Sequence, residues 1–231
     1  MKELKFITHI KELKATLEPM SHKEKLEHLW TYYKWVLVVL LCVIMLTSVV
    51  MASCEGRRVN VIVGGIAVNV DISDAGEEYL RDGFKAHVGS ESPRDRVSLS
   101  FTNLYSAETN VSEDNYYAMQ SIMAIIAGKD LDYLITDEEA YLVLLNKEIF
   151  MDLRKVFTEA ELEYLGDMVV TYQESVGSEK IPIALNIQNT AFIQENVTTD
   201  EVVYFTFIAN SERIQQTKNL LQWLLDWPAV K

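Results

Sequence analysis

The chain has 231 residues, a formal net charge of -13, two Cys, nine Gly and four Pro. This length suits one membrane-anchored domain and excludes a large multidomain enzyme, and the low Gly and Pro content excludes collagenous and low-complexity sequences. Residues 59–231 carry 28 acidic and 12 basic residues, a net charge of -16 that excludes nucleic acid as a partner.

The N-terminal 34 residues are predicted to be helical. Residues 1–18 place apolar side chains at helical spacing and predict a weakly amphipathic helix that Pro19 interrupts. Ser21 and Glu24 then form a capping box that predicts the start of a second helix. Residues 1–34 are therefore interpreted as cytoplasmic juxtamembrane helices, either simply solvated or, alternatively, contacting a partner or the lipid surface.

The 20 residues from Trp35 to Cys54 contain no charge and are mostly aliphatic. At 1.5 Å per residue this run covers about 30 Å, the hydrocarbon thickness of a bilayer, which predicts a transmembrane helix over 35–54 and the lipid bilayer as a partner. Seven Lys precede the run, whereas only Arg57 and Arg58 follow it closely. The excess of basic residues predicts a single-pass protein of the cell membrane with a cytoplasmic N-terminus and an extracytoplasmic domain over 55–231.

The end of the apolar run allows two other interpretations. A cleaved secretory signal is disfavoured because 34 residues precede the run, far more than a short basic leader. Residues 50–54 resemble a bacterial lipobox, so lipidation of Cys54 stays an alternative. Residues 55–231 contain no Cys, so the outer domain has no internal disulfide and depends on its hydrophobic core.

Strand and helix patterns alternate along the outer domain. Strands are predicted at 59–63, 97–104, 132–135, 168–172, 181–187 and 202–209. Helices are predicted at 74–87, from Ser112 to Gly128, from capping boxes at Thr136 and Thr158, and from Asn210 and Ser211 to Pro228. This order predicts an α/β fold: one mixed sheet, including a 168–187 hairpin, flanked by helices, with a ligand crevice at the carboxyl ends of the strands.

Several segments, taken in order, resemble a group of uncharacterised single-pass membrane proteins of Gram-positive bacteria that are distantly similar to extracellular solute-binding proteins. The segments with this resemblance are 23–25, 32–35, 127–139, 150–153, 181–185 and 208–211. None is a catalytic signature. The resemblance implies a fold like a reduced periplasmic-binding-protein lobe, because the outer domain is shorter than a complete two-lobed clamshell.

The residue types of the outer domain disfavour most catalytic and metal chemistry. His87 is its only His, so neither a zinc site nor a Ser-His-Asp arrangement is expected, and Gly64-Gly65 belongs to no nucleotide-binding motif. The acids at 137–139 suit a glycosidase or Ca²⁺ site, but acids at a helix start also complement the helix dipole, and that structural interpretation is favoured. No metal or cofactor is expected.

Three polar residues are candidate ligand contacts, because each follows or ends a predicted strand: Thr136, Asn186 and Asn189. The favoured function is a membrane-anchored extracytoplasmic binding or sensory module for a small polar ligand, with no enzymatic activity. An alternative is a structural or assembly subunit that binds a protein partner through its acidic outer domain. A carbohydrate-active enzyme using two carboxylates ranks third.

Overall fold

The structure is a computed structural model that describes residues 22–56, 59–105, 113–175, 177–199 and 201–226. The helix predicted over 1–18 and the predicted caps at Ser21 and Ser112 lie outside these residues. The chain divides into two compact units, Met1–Arg58 and Val59–Lys231.

The described residues of the first unit form one long helix, α1 (His22–Gly56). Its segment Lys34–Ala52 has a mean hydropathy of 2.8 and no buried residues, and α1 is the one described helix long and apolar enough to cross a membrane. The Thr47 and Ser48 hydroxyls donate to backbone carbonyls one turn earlier, at 2.9 Å and 2.8 Å. Polar side chains satisfied in this way suit a helix surrounded by hydrocarbon.

The second unit alternates strands and helices as the sequence predicts. Its strands are β1 (Asn60–Val68), β2 (Asp95–Thr102), β3 (Tyr133–Thr136), β4 (Val169–Tyr172), β5 (Ile181–Asn186) and β6 (Tyr204–Phe207). Its helices are α2 (Asp74–Glu78), which continues through a π-helical turn (Tyr79–Gly83) into α3 (Phe84–His87), then α4 (Glu113–Ala127), α5 (Glu138–Leu145), α6 (Glu159–Leu165), α7 (Ala191–Asn196) and α8 (Ile214–Leu224).

The six strands form one mixed sheet in the order β2-β1-β3-β6-β5-β4. Strand β1 pairs in parallel with β2 and β3, whereas β6 is antiparallel to β3, β5 to β6 and β4 to β5. The carboxyl ends of β1, β2, β3 and β5 therefore lie at the same edge of the sheet. The predicted mixed sheet and the predicted β4–β5 hairpin are both confirmed.

Helices cover both faces of this sheet. One face packs against the π-helical turn, α3, α7 and α8, whose Leu80, Phe84, Phe192 and Leu221 share a core with the strands. The other face packs against α4 and α5. Two buried layers explain how this unit forms a core without a disulfide.

Gly65 explains why β1 is longer than the predicted strand at 59–63. A Cβ atom at Gly65 would lie 2.1 Å from Cζ of Tyr133, so the phenol ring of the neighbouring strand occupies the place of a side chain. The Gly pair therefore continues the strand and lets β3 approach closely, where the sequence alone indicated an ending. Burial raises the pKa of Tyr133, with a smaller contribution from Asp132.

A buried ion pair connects three segments near the start of β3. The Asp132 carboxylate accepts from Arg213 Nε and from the Gly64 backbone N–H, each at 2.7 Å, and from Ser211 Oγ at 2.6 Å. The prediction that Asn210 and Ser211 cap the last helix is wrong, because α8 begins later, after Arg213, without a side-chain cap. Ser211 instead satisfies the buried carboxylate, a stronger demand than a helix end in solvent.

Candidate functional site

The sheet edge after β1 and β3 is closed by side-chain hydrogen bonds. Asn69 follows β1, and its amide Nδ2 donates to the Leu104 carbonyl at 2.7 Å and to Asp137 Oδ1 at 3.2 Å. Its Oδ1 accepts from the Leu104 N–H at 2.7 Å. Asn69 adopts a φ of 57°, a left-handed conformation that Asn tolerates better than most residues. Its amide therefore ties the exits of three segments together.

Asp137 supplies the cap of α5, one residue after the predicted position. Its Oδ1 accepts from the Ala140 N–H at 2.8 Å, and Glu138 and Glu139 lie in the first helical turn. The predicted capping box at Thr136 is therefore wrong. Thr136 still pairs with Val68 and Tyr204 as the last residue of β3, so its backbone belongs to the sheet and the cap moves to the next side chain.

Thr136, the first of the three candidate ligand contacts, lies in the interior of the second unit. Its side chain is completely buried, and its hydroxyl has no hydrogen-bond partner among the described residues. It occupies the same row of the sheet as Asn186, because both pair with Tyr204. The structure places Thr136 inside the protein, however, and brings only Asn186 and Asn189 to a common cavity.

That cavity lies where β5 ends and has a volume of about 470 Å³. We refer to it as the β5 cavity. Segments from α6, β5, α7 and the end of α8 surround it. Its lining residues are Tyr164, Leu165, Asp167, Met168, Asn186, Asn189, Thr190, Ala191, Leu224, Leu225 and Asp226.

Two of its polar residues hold the loop after β5 in place. Asn186 Oδ1 accepts from the Gln188 N–H at 3.0 Å. Thr190 caps α7 through its side chain and donates from Oγ1 to the Ile187 carbonyl at 2.7 Å. These bonds leave the Asn186 Nδ2 group and the whole Asn189 amide without a hydrogen bond to another described residue. The loop is thus preformed while its amides stay available to a ligand.

The rest of the cavity is apolar with acidic residues at its margin. Leu165 and Leu224 are buried, and Tyr164 exposes 64% of its surface. Asp167 and Asp226 contribute carboxylates, and none of the described residues that line the cavity is Lys, Arg or His. Such a surface favours a ligand with hydrogen-bond donors, either hydroxyl or amine groups, over an anion.

The described residues contain no group of three or more His, Cys, Asp or Glu side chains that could hold a metal ion. His87 ends α3 and packs near Phe84 and Trp223, away from the cavity lining. The chemistry that the β5 cavity offers is hydrogen bonding and apolar contact.

Sequence reasoning found the two Asn residues because they follow a predicted strand, but it missed Asp167 and Asp226. Each of these acids belongs to the end of a helix that folds back to the sheet edge, and each lies far from β5 along the chain. Their exposure gives no hydrophobic pattern to detect. The only available signal was the position of the predicted helix ends.

Comparison of the chain with protein-family models, with curated proteins and with solved structures finds no match. The resemblance to membrane-anchored relatives of solute-binding proteins therefore stays a prediction from the sequence. Function has to be argued from the residues and their geometry.

Proposed function

We propose that this protein is a membrane-anchored extracytoplasmic binding or sensory module whose second unit holds a small polar ligand in the β5 cavity. The observation that carries the proposal is the pair of amides, Asn186 and Asn189, in a preformed cavity at the carboxyl edge of the sheet. Ligands of open α/β sheets commonly bind at this edge.

The anchor in this proposal is the transmembrane helix predicted at 35–54. Support comes from the apolarity of Lys34–Ala52 within α1 and from the Lys residues that precede it. A cytoplasmic N-terminus would place residues 55–231 outside the cell. The likeness to a reduced periplasmic-binding-protein lobe agrees with the mixed sheet and its helices.

The cavity chemistry indicates the class of ligand. Leu165, Met168 and Leu224 provide apolar contact, while Asp167 and Asp226 add negative charge. A sugar, a polyol or a small amine presents the required donors on a compact carbon frame. A phosphate or a dicarboxylate would meet two carboxylates and, among the described lining residues, no cation, so such anions are disfavoured as ligands in this proposal.

Thermal unfolding of the full chain in nanodiscs tests the proposal against a panel of sugars, polyols, amino acids and amines. A ligand at 100 times its Kd stabilises the folded state by about 2.7 kcal/mol, a clear rise in Tm. Asn189→Ala should reduce that rise to about half or less, because a tenfold higher Kd lowers the stabilisation to about 1.4 kcal/mol. The matched control is Asn219→Ala on α8, whose exposed side chain lies outside the cavity. A panel without any hit, or equal loss in both variants, contradicts the proposal.

Orientation has its own test. Protease added to intact protoplasts should digest residues 59–231, because the proposal places them outside the membrane. Protection of this region would contradict the orientation. Mass spectrometry of the mature N-terminus distinguishes the uncleaved anchor, expected here, from a lipoprotein that begins at Cys54.

A second candidate function, a structural or assembly subunit, is favoured by a groove of about 610 Å³ beside β4 and β5. Its lining combines apolar residues such as Phe150, Tyr172 and Ile181 with three acids, Glu148, Asp152 and Glu174, and one base, Lys155. A basic, partly apolar segment of a partner protein fits this combination. A photoreactive residue at Tyr172 should form a discrete adduct with such a partner, and one at exposed Tyr116 should not. Identical adducts at both positions would exclude the groove as the docking site.

A further inference from the structure

A cleft with three basic residues in its lining lies beside the edge strand β2 and the start of β1. Strand β2 is the edge strand opposite β4 in the sheet order. The cleft has a volume of about 520 Å³. We refer to it as the β2 cleft. It is lined by Val59, Val61, Arg81, Asp82, Lys85, Pro93, Asp95, Arg96, Val97 and Ser98. None of these residues belongs to the β5 cavity.

The β2 cleft concentrates positive charge in an otherwise acidic unit. Residues 59–231 contain 12 basic residues against 28 acidic ones, yet Arg81, Lys85 and Arg96 all line this one cleft. Arg94 lies beside it in sequence. Two acids, Asp82 and Asp95, also line the cleft, so its lining has a net charge of +1 in a unit whose net charge is -16.

Two of the cations are held against the protein by backbone contacts. Arg81 pairs with Glu77 at 2.7 Å and donates to the Leu99 carbonyl at 3.3 Å. Lys85 Nζ donates to the Ser92 carbonyl at 2.9 Å, which leaves two of its three hydrogens for a ligand. Their side chains are thereby positioned before any ligand arrives, which lowers the entropic cost of binding.

Arg96 has its full donor set available. Its guanidinium makes no hydrogen bond to another described residue, and its side chain is exposed on β2. Nearby Asp95 is already occupied, because it accepts from Ser90 Oγ at 2.5 Å and from Asn60 Nδ2 at 2.9 Å. The hydrogen bond from Ser90 makes the largest contribution to lowering the pKa of Asp95, and the bond from Asn60 makes the next largest. The Asp95 carboxylate is therefore engaged in hydrogen bonds within the protein, whereas the Arg96 guanidinium has none to a described residue.

We propose that the β2 cleft binds a phosphate group through Arg96, Lys85 and Arg81. A planar guanidinium donates two parallel hydrogen bonds to phosphate oxygens, and an ammonium group adds a point charge, which is the usual protein recognition of phosphate. The phosphate belongs either to the headgroup of an anionic phospholipid or to a soluble phosphate compound. Val59, which lines the cleft, follows Gly56 at the end of α1 by three residues in the sequence. A phospholipid headgroup is available as the source only if α1 crosses the membrane, so this source rests on the proposed membrane anchor.

The test uses the full chain in nanodiscs at 150 mM salt, where diffuse surface attraction is largely screened. One arm uses phosphatidylcholine discs and adds inorganic phosphate. The other arm uses discs that contain 30% phosphatidylglycerol and no added phosphate. Amide hydrogen exchange over 81–98 is the readout, and protection in either arm supports a phosphate site.

The two arms identify the source of the phosphate. Protection in phosphatidylglycerol discs alone assigns the site to lipid headgroups, and protection by inorganic phosphate in phosphatidylcholine discs assigns it to a soluble compound. The double substitution Lys85→Gln and Arg96→Gln should reduce the protection at least fivefold. Arg96→Gln alone, at an exposed position, should reduce it at least twofold and serves if the double variant does not fold.

The matched control is the double substitution Lys147→Gln and Lys180→Gln, which removes the same charge at two exposed positions outside the cleft. It should keep the full protection. Equal loss in this control would reduce the effect to net charge and overturn the proposal. Absence of protection in both arms would overturn it as well, and neither result would bear on ligand binding in the β5 cavity.

Discussion

An Asn residue ends or follows a strand at two places on the same edge of the sheet, and its surroundings differ. After β1, Asn69 bonds to both backbone groups of Leu104 and to Asp137, so the edge between β1 and β3 is closed by the protein's own groups. At the end of β5, the Asn186 Nδ2 group and the amide of Asn189 find no partner among the described residues and line a cavity. Position after a strand therefore does not by itself distinguish an Asn that bonds to the protein's own groups from one whose amide faces a cavity without a described partner.

The largest effect that this comparison predicts is a loss of stability at Asn69, where side-chain hydrogen bonds close the sheet edge after β1 and β3. Asn69→Ala should lower the free energy of unfolding by about 3 kcal/mol, because it removes three hydrogen bonds. Ala at positive φ also lacks the polar side chain whose local hydrogen bonds let Asn tolerate this conformation. Thermal and urea unfolding of the full chain in nanodiscs measures the loss. Asn69→Gly, which accepts the φ, should recover about 1 kcal/mol of it. A loss below about 1 kcal/mol for Asn69→Ala would show that the edge is not closed in this way.

The assignment of the α5 cap gives the next effect. Asp137→Ala should cost about 1–2 kcal/mol through the lost cap and the lost bond to Asn69. Thr136→Val should instead change stability by less than about 1 kcal/mol, or raise it, because it replaces an unpartnered buried hydroxyl with a methyl group. The paired unfolding experiment contradicts this assignment if Thr136→Val is the more damaging substitution.

A pH-dependent effect on stability is expected where α6 contacts α8, the two helices whose ends line the β5 cavity. Glu161 accepts from Lys218 Nζ at 2.8 Å and from the Thr158 N–H at 2.7 Å, completing the predicted capping box at Thr158. Burial alone would raise the pKa of Glu161, but these hydrogen bonds outweigh it and hold the pKa below its ordinary value. The stabilisation is therefore present above the ordinary pKa of the carboxyl and is lost as the pH falls through the lowered value.

Glu161→Gln should accordingly cost about 1 kcal/mol at neutral pH, and this cost should shrink progressively as the pH falls below the ordinary pKa of the carboxyl and through the lowered value. Unfolding of the full chain across this pH range is the measurement. Glu163→Gln, an exposed position on the same helix, is the control and should show no pH-dependent difference from the natural sequence. A cost of Glu161→Gln that is independent of pH would exclude the charge pair as its source.

The smallest effect on stability is predicted at the open edge. Asn189→Ala should change the free energy of unfolding by less than about 0.5 kcal/mol, since the amide is exposed and has no described partner to lose. Unfolding without ligand provides the value. A loss above about 1 kcal/mol would mean that Asn189 supports the fold, as Asn69 does, and would remove the contrast between these two places on the sheet edge.

Local patterns predicted what depends on local residues. The β4–β5 hairpin, the capping box of Thr158 with Glu161 and the apolar helix α1 are all set by neighbours within a few positions, and each was predictable. The Thr136 cap failed because pairing of β3 with β1 and β6 keeps that residue in the sheet. Strand pairing joins residues distant in sequence, so a capping pattern alone does not contain it.

The same limit applies to the buried contacts and to the site. The Asp132–Arg213 pair joins residues 81 positions apart, and the Tyr133 ring over Gly65 joins neighbouring strands. In the β5 cavity, Asn186 and Asn189 were predictable from the strand that precedes them. Asp167 and Asp226 were not, because only the packing of α6 and α8 against the sheet brings them there.

We expect the part of the sheet edge beside β5 to bind a ligand and the part beside β1 and β3 to support the fold. Isothermal titration of a compound from the polar panel into the full chain in nanodiscs compares Asn189→Ala and Asn69→Gly side by side. Asn189→Ala should raise Kd at least tenfold with an unchanged Tm, and Asn69→Gly should lower Tm with an unchanged Kd. A raised Kd in Asn69→Gly together with an unchanged Kd in Asn189→Ala would overturn this assignment.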